Sequence, residues 1–156
     1  MEINRGRWTA SIEGDFVVFL IGAELRDPAL SEKAGRLLVS MERMLEELLA
    51  QPEHGLLGFQ SHGGLGGMIV QYWRSFDALE AYARNPSAAH APVWREWNRL
   101  AEDELGGAGI WHETFRVSAG NYEAIYQNMP VMGLQKAGTP VTVSEARASA
   151  RQRLDG

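Results

Sequence analysis

The amino-acid sequence predicts an α+β fold whose strands and helices follow one another in the order β-α-β-β-α-β. A run of β-branched and aromatic residues at 15–24 is apolar on both faces, which is typical of a central strand. Leucine and methionine then recur at helical spacing through 31–49, with glutamate and arginine on the other side. Two further strands, at 55–62 and 68–73, are separated by the glycine-rich turn 63–67 and form an antiparallel hairpin.

The second half of the chain supplies the remaining helix and strand. Ser75 suits the N-cap of a helix that is interrupted at Asn85 and Pro86 and resumes over residues 88–105. Residues 109–117 form the last strand. This order is the ferredoxin-like plan, an antiparallel sheet with helices on one face.

The other face of this sheet is expected to meet a partner. The first strand is apolar on both sides, with Phe16, Val18 and Leu20 alternating with Val17, Phe19 and Ile21. A bare apolar sheet face of this size predicts an interaction surface. A symmetric homodimer, formed through the open sheet face, is the simplest solution.

Composition restricts the class of protein. The 156 residues are 45% hydrophobic and 22% charged, and they contain no cysteine. This excludes disulfides, thiolate metal sites and cysteine nucleophiles. The net charge of -5, without a basic patch, argues against nucleic-acid binding. No apolar run is long enough to span a membrane and no signal-peptide segment is present, so a cytoplasmic protein is expected.

The sequence predicts one domain over residues 1–143, followed by a polar C-terminal tail at 144–156 that is a solvated or frayed helix. The first fourteen residues are polar and carry one large apolar residue, Trp8.

Four segments of the chain resemble one uncharacterised family. They are residues 72–84, 90–94, 109–115 and 120–130, within a resemblance that covers roughly residues 14–140. The family is similar to the fumagillin-pathway polyketide monooxygenase. It belongs to the dimeric α+β barrel (antibiotic-biosynthesis monooxygenase-like) superfamily, which also includes haem-degrading monooxygenases and aldoxime dehydratases. The resemblance implies a dimeric α+β barrel and a monooxygenase-like oxidoreductase.

His90 is the first candidate catalytic residue. It follows the helix break, and Trp94 lies one turn further on the same face. Imidazole exchanges protons near neutral pH and ligates metals. The resemblance implies that a helix histidine in this region is the axial iron ligand of haem-degrading members. His90 is therefore a candidate base or haem ligand, unless it only hydrogen-bonds a backbone carbonyl.

His112 and Glu113, on the last strand, are the other candidate catalytic residues. Strand alternation places His112 on one face and Glu113 on the other with Trp111 and Phe115, so the pair cannot hold one metal ion together. A carboxylate that faces an apolar cavity acquires a raised pKa and can act as a base. Otherwise Glu113 pairs with an arginine or lines the dimer interface.

An aromatic-lined pocket between sheet and helices is expected to bind a small hydrophobic molecule, such as a polyketide or a porphyrin. The candidate substrate-binding aromatics are Tyr72, Trp73, Trp94, Trp97 and Trp111, unless they are plain core residues.

The segment 122–130 is expected to form a lid over this pocket or an arm onto the partner subunit. Tyr122, Tyr126 and Asn128 would then present hydroxyl and amide groups to the ligand. The alternative is an arm that only packs.

Three functions follow. The first is a small monooxygenase that acts on a hydrophobic metabolite without a metal cofactor, in which a substrate enolate or phenolate reduces oxygen directly. The second is a haem-binding enzyme, for haem degradation or aldoxime dehydration, with His90 as axial ligand. The third is a non-catalytic binder of hydrophobic ligands.

Overall fold

The main sheet has four antiparallel strands in the order β3-β4-β2-β5. The computed structural model describes residues 2–63, 67–85, 90–102 and 107–154, without the side chains of residues 90 and 146. The strands are β2 (Phe16–Leu25), β3 (Leu56–His62), β4 (Met68–Trp73) and β5 (Ala108–Val117). β2 and β4, which are the first and third strands of the β-α-β-β-α-β unit, therefore lie at the centre of the sheet. This order confirms the ferredoxin-like fold.

Three helices cover one face of this sheet. They are α1 (Ser31–Leu49), α2 (Phe76–Ala83) and α3 (His90–Ala101). Ser75 is the N-cap of α2, since its Oγ accepts a hydrogen bond from the Ala78 N–H at 3.1 Å. Residues 86–89 and 103–106 lie outside the described residues, and with them lie Pro86 of the predicted break and both predicted ends, 88 and 105, of the resumed helix.

A second, smaller sheet forms from the two ends of the chain. Its strands are β1 (Asn4–Ser11), β6 (Tyr126–Met129) and β7 (Thr139–Thr142), in the order β6-β1-β7, and a short helix α4 (Leu134–Ala137) lies between the last two. Sequence analysis expected a polar segment with Trp8 at the N-terminus and, at 122–130, a lid over the pocket or an arm, either onto the partner subunit or one that only packs. The structure differs because each of these strands pairs with residues more than one hundred positions away, as Trp8 does with Tyr126 and Thr142.

Sequence analysis expected one face of the main sheet to be bare, but the small sheet and α4 cover part of that face. Ala10, Ile12 and Leu134 are buried against Phe16 and Tyr72 on the face opposite to the helices. The chain thus covers part of this face itself. Towards β5 the face stays open, and Trp111 and Phe115 are 41% and 50% exposed there.

The C-terminal tail contacts the body of the protein. The last helix, α5 (Ala150–Leu154), places Arg153 within 2.8 Å of Glu123, and only 6% of the Arg153 side chain is exposed. An Arg7 Nη2 group also donates to the Ala148 carbonyl at 2.9 Å. The domain boundary at residue 143 stays a prediction. Among the described residues, no helix combines the length and the apolar character that crossing a membrane requires.

Candidate functional site

A cavity of 260 Å³ lies between the main sheet and the helices. The helices pack on the sheet as two clusters: Leu45 and Leu79 gather around Trp73, and Trp97 and Leu100 gather around Ala34. Met41 contacts both clusters. Ile21, Leu45 and Leu79 of the first cluster line the cavity, so it has a sheet floor and helical walls.

The walls of this cavity are mostly apolar and aromatic. The sheet contributes Phe19 and Ile21, α1 contributes Met41, Met44 and Leu45, α2 and α3 contribute Phe76, Leu79, Tyr82 and Trp94. Polar atoms are few, and they come from the floor or the rim. The floor carries Gln71, His112 and Thr114, and the rim carries Glu80 and Arg84, which form an ion pair at 3.0 Å.

His112 faces the cavity because of the register of β5. It pairs with Ile21, and Thr114 pairs with Phe19, on the face that the helices cover. Its imidazole contacts the Phe19 ring, with 5.6 Å between the ring centroids. His112 is itself exposed, so its imidazole lies at the solvent-facing edge of an apolar chamber.

Glu113 lies on the opposite face of the sheet. It pairs with Leu20, is exposed, and does not line the cavity. Its neighbour Trp111 lies on the same opposite face, with its ring over Gly22: a Cβ at Gly22 would stand 2.6 Å from the indole. The structure therefore separates His112 from Glu113 by the thickness of the sheet.

The helix aromatics divide between cavity and core. Trp94 lines the cavity, whereas Trp97 is 4% exposed and packs in the cluster with Leu100. The backbone of His90 begins α3, one turn before Trp94, but its side chain lies outside the described residues. Trp73 is fully buried beneath α2. It does not line the cavity itself, but it packs against Leu79, which does.

The remaining predicted binding residues lie on the far side of the sheet. Tyr72 packs against the small sheet, where burial, with a smaller contribution from Tyr126, raises the pKa of its hydroxyl to about 12. The Tyr126 hydroxyl accepts from the Leu134 N–H at 3.1 Å, and the Asn128 Oδ1 accepts from the Gly6 N–H at 2.9 Å. The structure does not bring these groups to the cavity, and their role in binding stays a prediction.

Gln71 is a cavity residue that sequence analysis missed. Its side chain is 4% exposed, and its Oε1 accepts a hydrogen bond from the Trp73 Nε1–H at 3.0 Å. The available signal was its position as the one polar residue of the strand Met68–Trp73. A polar side chain in the middle of a central strand is unusual unless it has a partner.

No group of three histidine or carboxylate side chains within the described part of the chain comes together in a way that could hold a metal ion. The site as described offers a hydrophobic chamber, one imidazole, a few neutral hydrogen-bonding groups and the Glu80–Arg84 ion pair at its rim.

Known proteins share this sequence or its general shape. The chain is 25% identical, over an alignment of 179 positions including gaps, to Monooxygenase af470 of Aspergillus fumigatus. The alignment covers 99% of this chain but 59% of that protein, so the chain spans less than two thirds of its relative.

Two solved structures are similar to this chain over about two thirds of its length. A dimeric protein of unknown function and ferredoxin-like fold from Bacteroides fragilis is 17% identical, with a TM-score of 0.43 over 64% of this chain and 96% of that one. A MhuD variant with two manganese protoporphyrin IX molecules bound per active site is 26% identical. Its TM-score is 0.32, over 65% of this chain and 93% of that one.

The family assignment rests on the sequence of the main sheet and its helices. The model of the Monooxygenase af470-like family matches residues 16–134, from the first residue of β2 to the first residue of α4. That span contains every residue that lines the cavity. The chain belongs to the Monooxygenase af470-like family.

Proposed function

We propose that this protein is a monooxygenase that binds a small hydrophobic metabolite in the cavity between sheet and helices and oxidises it with dioxygen, without a metal cofactor. The observation that carries the proposal is the position of His112, an imidazole at the edge of a 260 Å³ chamber with aromatic walls. Membership of the monooxygenase-like family supports the reaction class.

The proposed chemistry needs a base and an apolar enclosure. His112 removes a proton from an acidic C–H or O–H group of the substrate, and the resulting carbanion or phenolate transfers electrons to dioxygen. Overall, a CH₂ group and O₂ give a C=O group and water: one oxygen atom stays on the carbon, and the other leaves with the two hydrogens. The substrate supplies all the electrons, so the reaction consumes no further reductant.

The apolar walls have a second role in this scheme. Phe19, Phe76 and Trp94 shield the substrate anion from water on the inner side of the cavity, away from the exposed edge at His112 and Thr114, which favours its reaction with dioxygen over reprotonation by solvent. Flat aromatic walls also favour a flat ring system in the cavity.

Haem is the cofactor of the alternative enzyme proposal, with His90 as its ligand. The cavity volume of 260 Å³ lies below the range of about 300–1,000 Å³ that is usual for drug-sized ligands, and a porphyrin is larger than most of these. The described cavity is smaller than a porphyrin needs, and the His90 side chain lies outside the described residues, so we derive no step through a haem.

Oxygen consumption with a simple activated substrate tests the proposal. Anthrone has an acidic CH₂ group opposite a ketone, and its oxidation gives anthraquinone, which is followed by absorbance together with dissolved oxygen. We expect turnover by the wild type and a loss of about 10²–10⁴-fold in His112→Asn. His54→Asn is the matched control, because His54 is exposed and lies outside the cavity.

The alternatives give different results. Haemin bound one per chain, with a Soret band that disappears in His90→Ala, would replace the proposal by a haem enzyme. Binding of anthrone without oxygen uptake would favour a non-catalytic binder. Unchanged turnover in His112→Asn would remove His112 as the base.

A further inference from the structure

The orientation of the Gln71 side chain is fixed by its neighbour two residues along β4. The Trp73 indole N–H can only donate a hydrogen bond, so the atom it contacts at 3.0 Å is the amide oxygen of Gln71. Trp73 is fully buried and cannot move away from this contact without opening the core. The amide nitrogen of Gln71 must therefore point elsewhere.

That nitrogen belongs to a residue of the cavity floor. Gln71 lines the cavity, and its register partner across β2 is Phe19. Within the part of the chain that the structure describes, the Gln71 Nε2 group donates to no protein acceptor. The nitrogen is also not among the fully buried side-chain atoms that lack a partner, so this donor is open to the cavity, where water or a ligand can accept its hydrogen bond.

We propose that the Gln71 amide N–H binds an acceptor oxygen of the ligand, a carbonyl, enolate or phenolate oxygen carried on an apolar skeleton. This inference deepens the proposed function and rests on it, since it names the class of substrate that the same cavity takes. A neutral amide donor selects an oxygen acceptor over a hydrocarbon, and it needs no counter-charge inside the chamber.

The position of this donor relative to His112 sets the geometry of the ligand. Gln71 on β4 and Thr114 on β5 flank Phe19 on β2, and His112 lies two residues from Thr114 on the same strand. The backbones of β4 and β5 are two strand spacings apart, about 9.5 Å. A flat fused-ring ligand over Phe19 can therefore hold its oxygen at Gln71 while an acidic position elsewhere on the ring approaches His112.

A pair of ligands that differ only in the oxygen tests this directly. The probes are 1-tetralone and tetralin, which share one bicyclic skeleton, and each is titrated into the wild type while the dissociation constants are measured by ¹H–¹⁵N NMR. In Gln71→Met only the ketone loses a hydrogen bond, so the Kd of 1-tetralone should rise while that of tetralin stays the same. We therefore expect the ratio of the tetralin Kd to the 1-tetralone Kd to be roughly 3–10-fold lower in Gln71→Met than in the wild type. Gln60→Met is the matched control, since Gln60 lies on the adjacent strand β3 but pairs with Val70 on the other face.

The wild-type side-chain spectrum gives a second readout that requires no folded variant. The NH₂ signals of Gln71 are expected to shift with 1-tetralone and not with tetralin. If both probes bind and the ratio is the same in wild type and Gln71→Met, the Gln71 proposal is wrong while the cavity and the proposed function stand. If neither probe binds the wild type, the cavity is not a ligand site and both proposals fail.

Discussion

The hydroxyl of Tyr122 accepts a hydrogen bond from the Ile12 N–H at 2.6 Å and lies 3.3 Å from the Ile12 carbonyl oxygen, to which it donates. The same ring packs edge-on against Phe16, with 5.3 Å between the ring centroids. Tyr122, which follows β5, thus connects the loop between β1 and β2 to Phe16 of the main sheet. This makes Tyr122 a bridge between the two sheets on the side away from the cavity.

Tyr122→Phe is expected to lower stability without changing ligand binding. The substitution keeps the ring against Phe16 but leaves both Ile12 backbone groups without their partner, which costs about 1–3 kcal/mol. Urea unfolding measures the stability, and titration with tetralin measures the binding. A binding loss much larger than the stability change would instead place Tyr122 in a ligand site, as the sequence suggested.

Local patterns account for the parts of the fold that sequence analysis predicted correctly. The helix Ser31–Leu49 and the strand Met68–Trp73 were predictable because their apolar periodicity lies within one segment. The strands Tyr126–Met129 and Thr139–Thr142 have four residues each and no alternation of their own. They form only because β1 offers them hydrogen bonds from the other end of the chain.

The candidate site was also predictable only where the pattern lies within one strand. Alternation along β5 was sufficient to separate His112 from Glu113, and the structure has the same alternation. It was not sufficient to say which of Tyr72 and Trp73 faces the helices, because both faces of β4 are apolar. The pairing of Trp73 with Val17 decides this, and it also places Gln71 on the cavity side.

Filling the cavity from α1 is expected to abolish binding. Met44 lines the cavity, so the indole of Met44→Trp would occupy the space that a ligand needs, and the affinity for 1-tetralone and tetralin should fall at least about tenfold. Val39→Trp is the control on the same helix, since Val39 is 57% exposed. Equal affinities in both variants would mean that the ligands bind elsewhere.

We expect a homodimer to form through the open part of the main sheet, which lies towards β5 on the face opposite to the helices. Trp111 and Phe115 are both exposed there, and aromatic side chains of this kind are typical of interface centres. Trp111→Lys is expected to weaken self-association by at least about 30-fold, as judged by sedimentation equilibrium. Val39→Lys should have no effect, and a wild type that sediments as a single chain at all concentrations would contradict the prediction.

A charged cluster holds α3 against α1 and gives the stability a defined dependence on pH. Glu96 on α3 accepts hydrogen bonds from Arg99 at 2.9 and 3.1 Å and pairs with Lys33 on α1. These hydrogen bonds, from Arg99 first and then from Lys33, lower the pKa of Glu96 from 4.5 to about 2. Because the folded state holds the carboxylate more strongly than the unfolded state does, the stabilisation is complete above pH 4.5 and is lost as the pH falls towards 2.

Glu96→Gln removes this contribution and tests its sign. The difference in unfolding free energy between wild type and variant should be constant above pH 4.5 and shrink as the pH falls below it, since the wild-type carboxyl is then protonated in the unfolded chain first. Urea unfolding over a pH series measures the difference, and the ¹³C shift of the Glu96 carboxyl measures its titration midpoint. Lys33→Met should move that midpoint part of the way back towards 4.5, because Arg99 remains. If the difference in unfolding free energy instead grew as the pH fell, the folded state would favour the protonated carboxyl. The cluster would then not be what holds α3, with Trp94, beside the cavity.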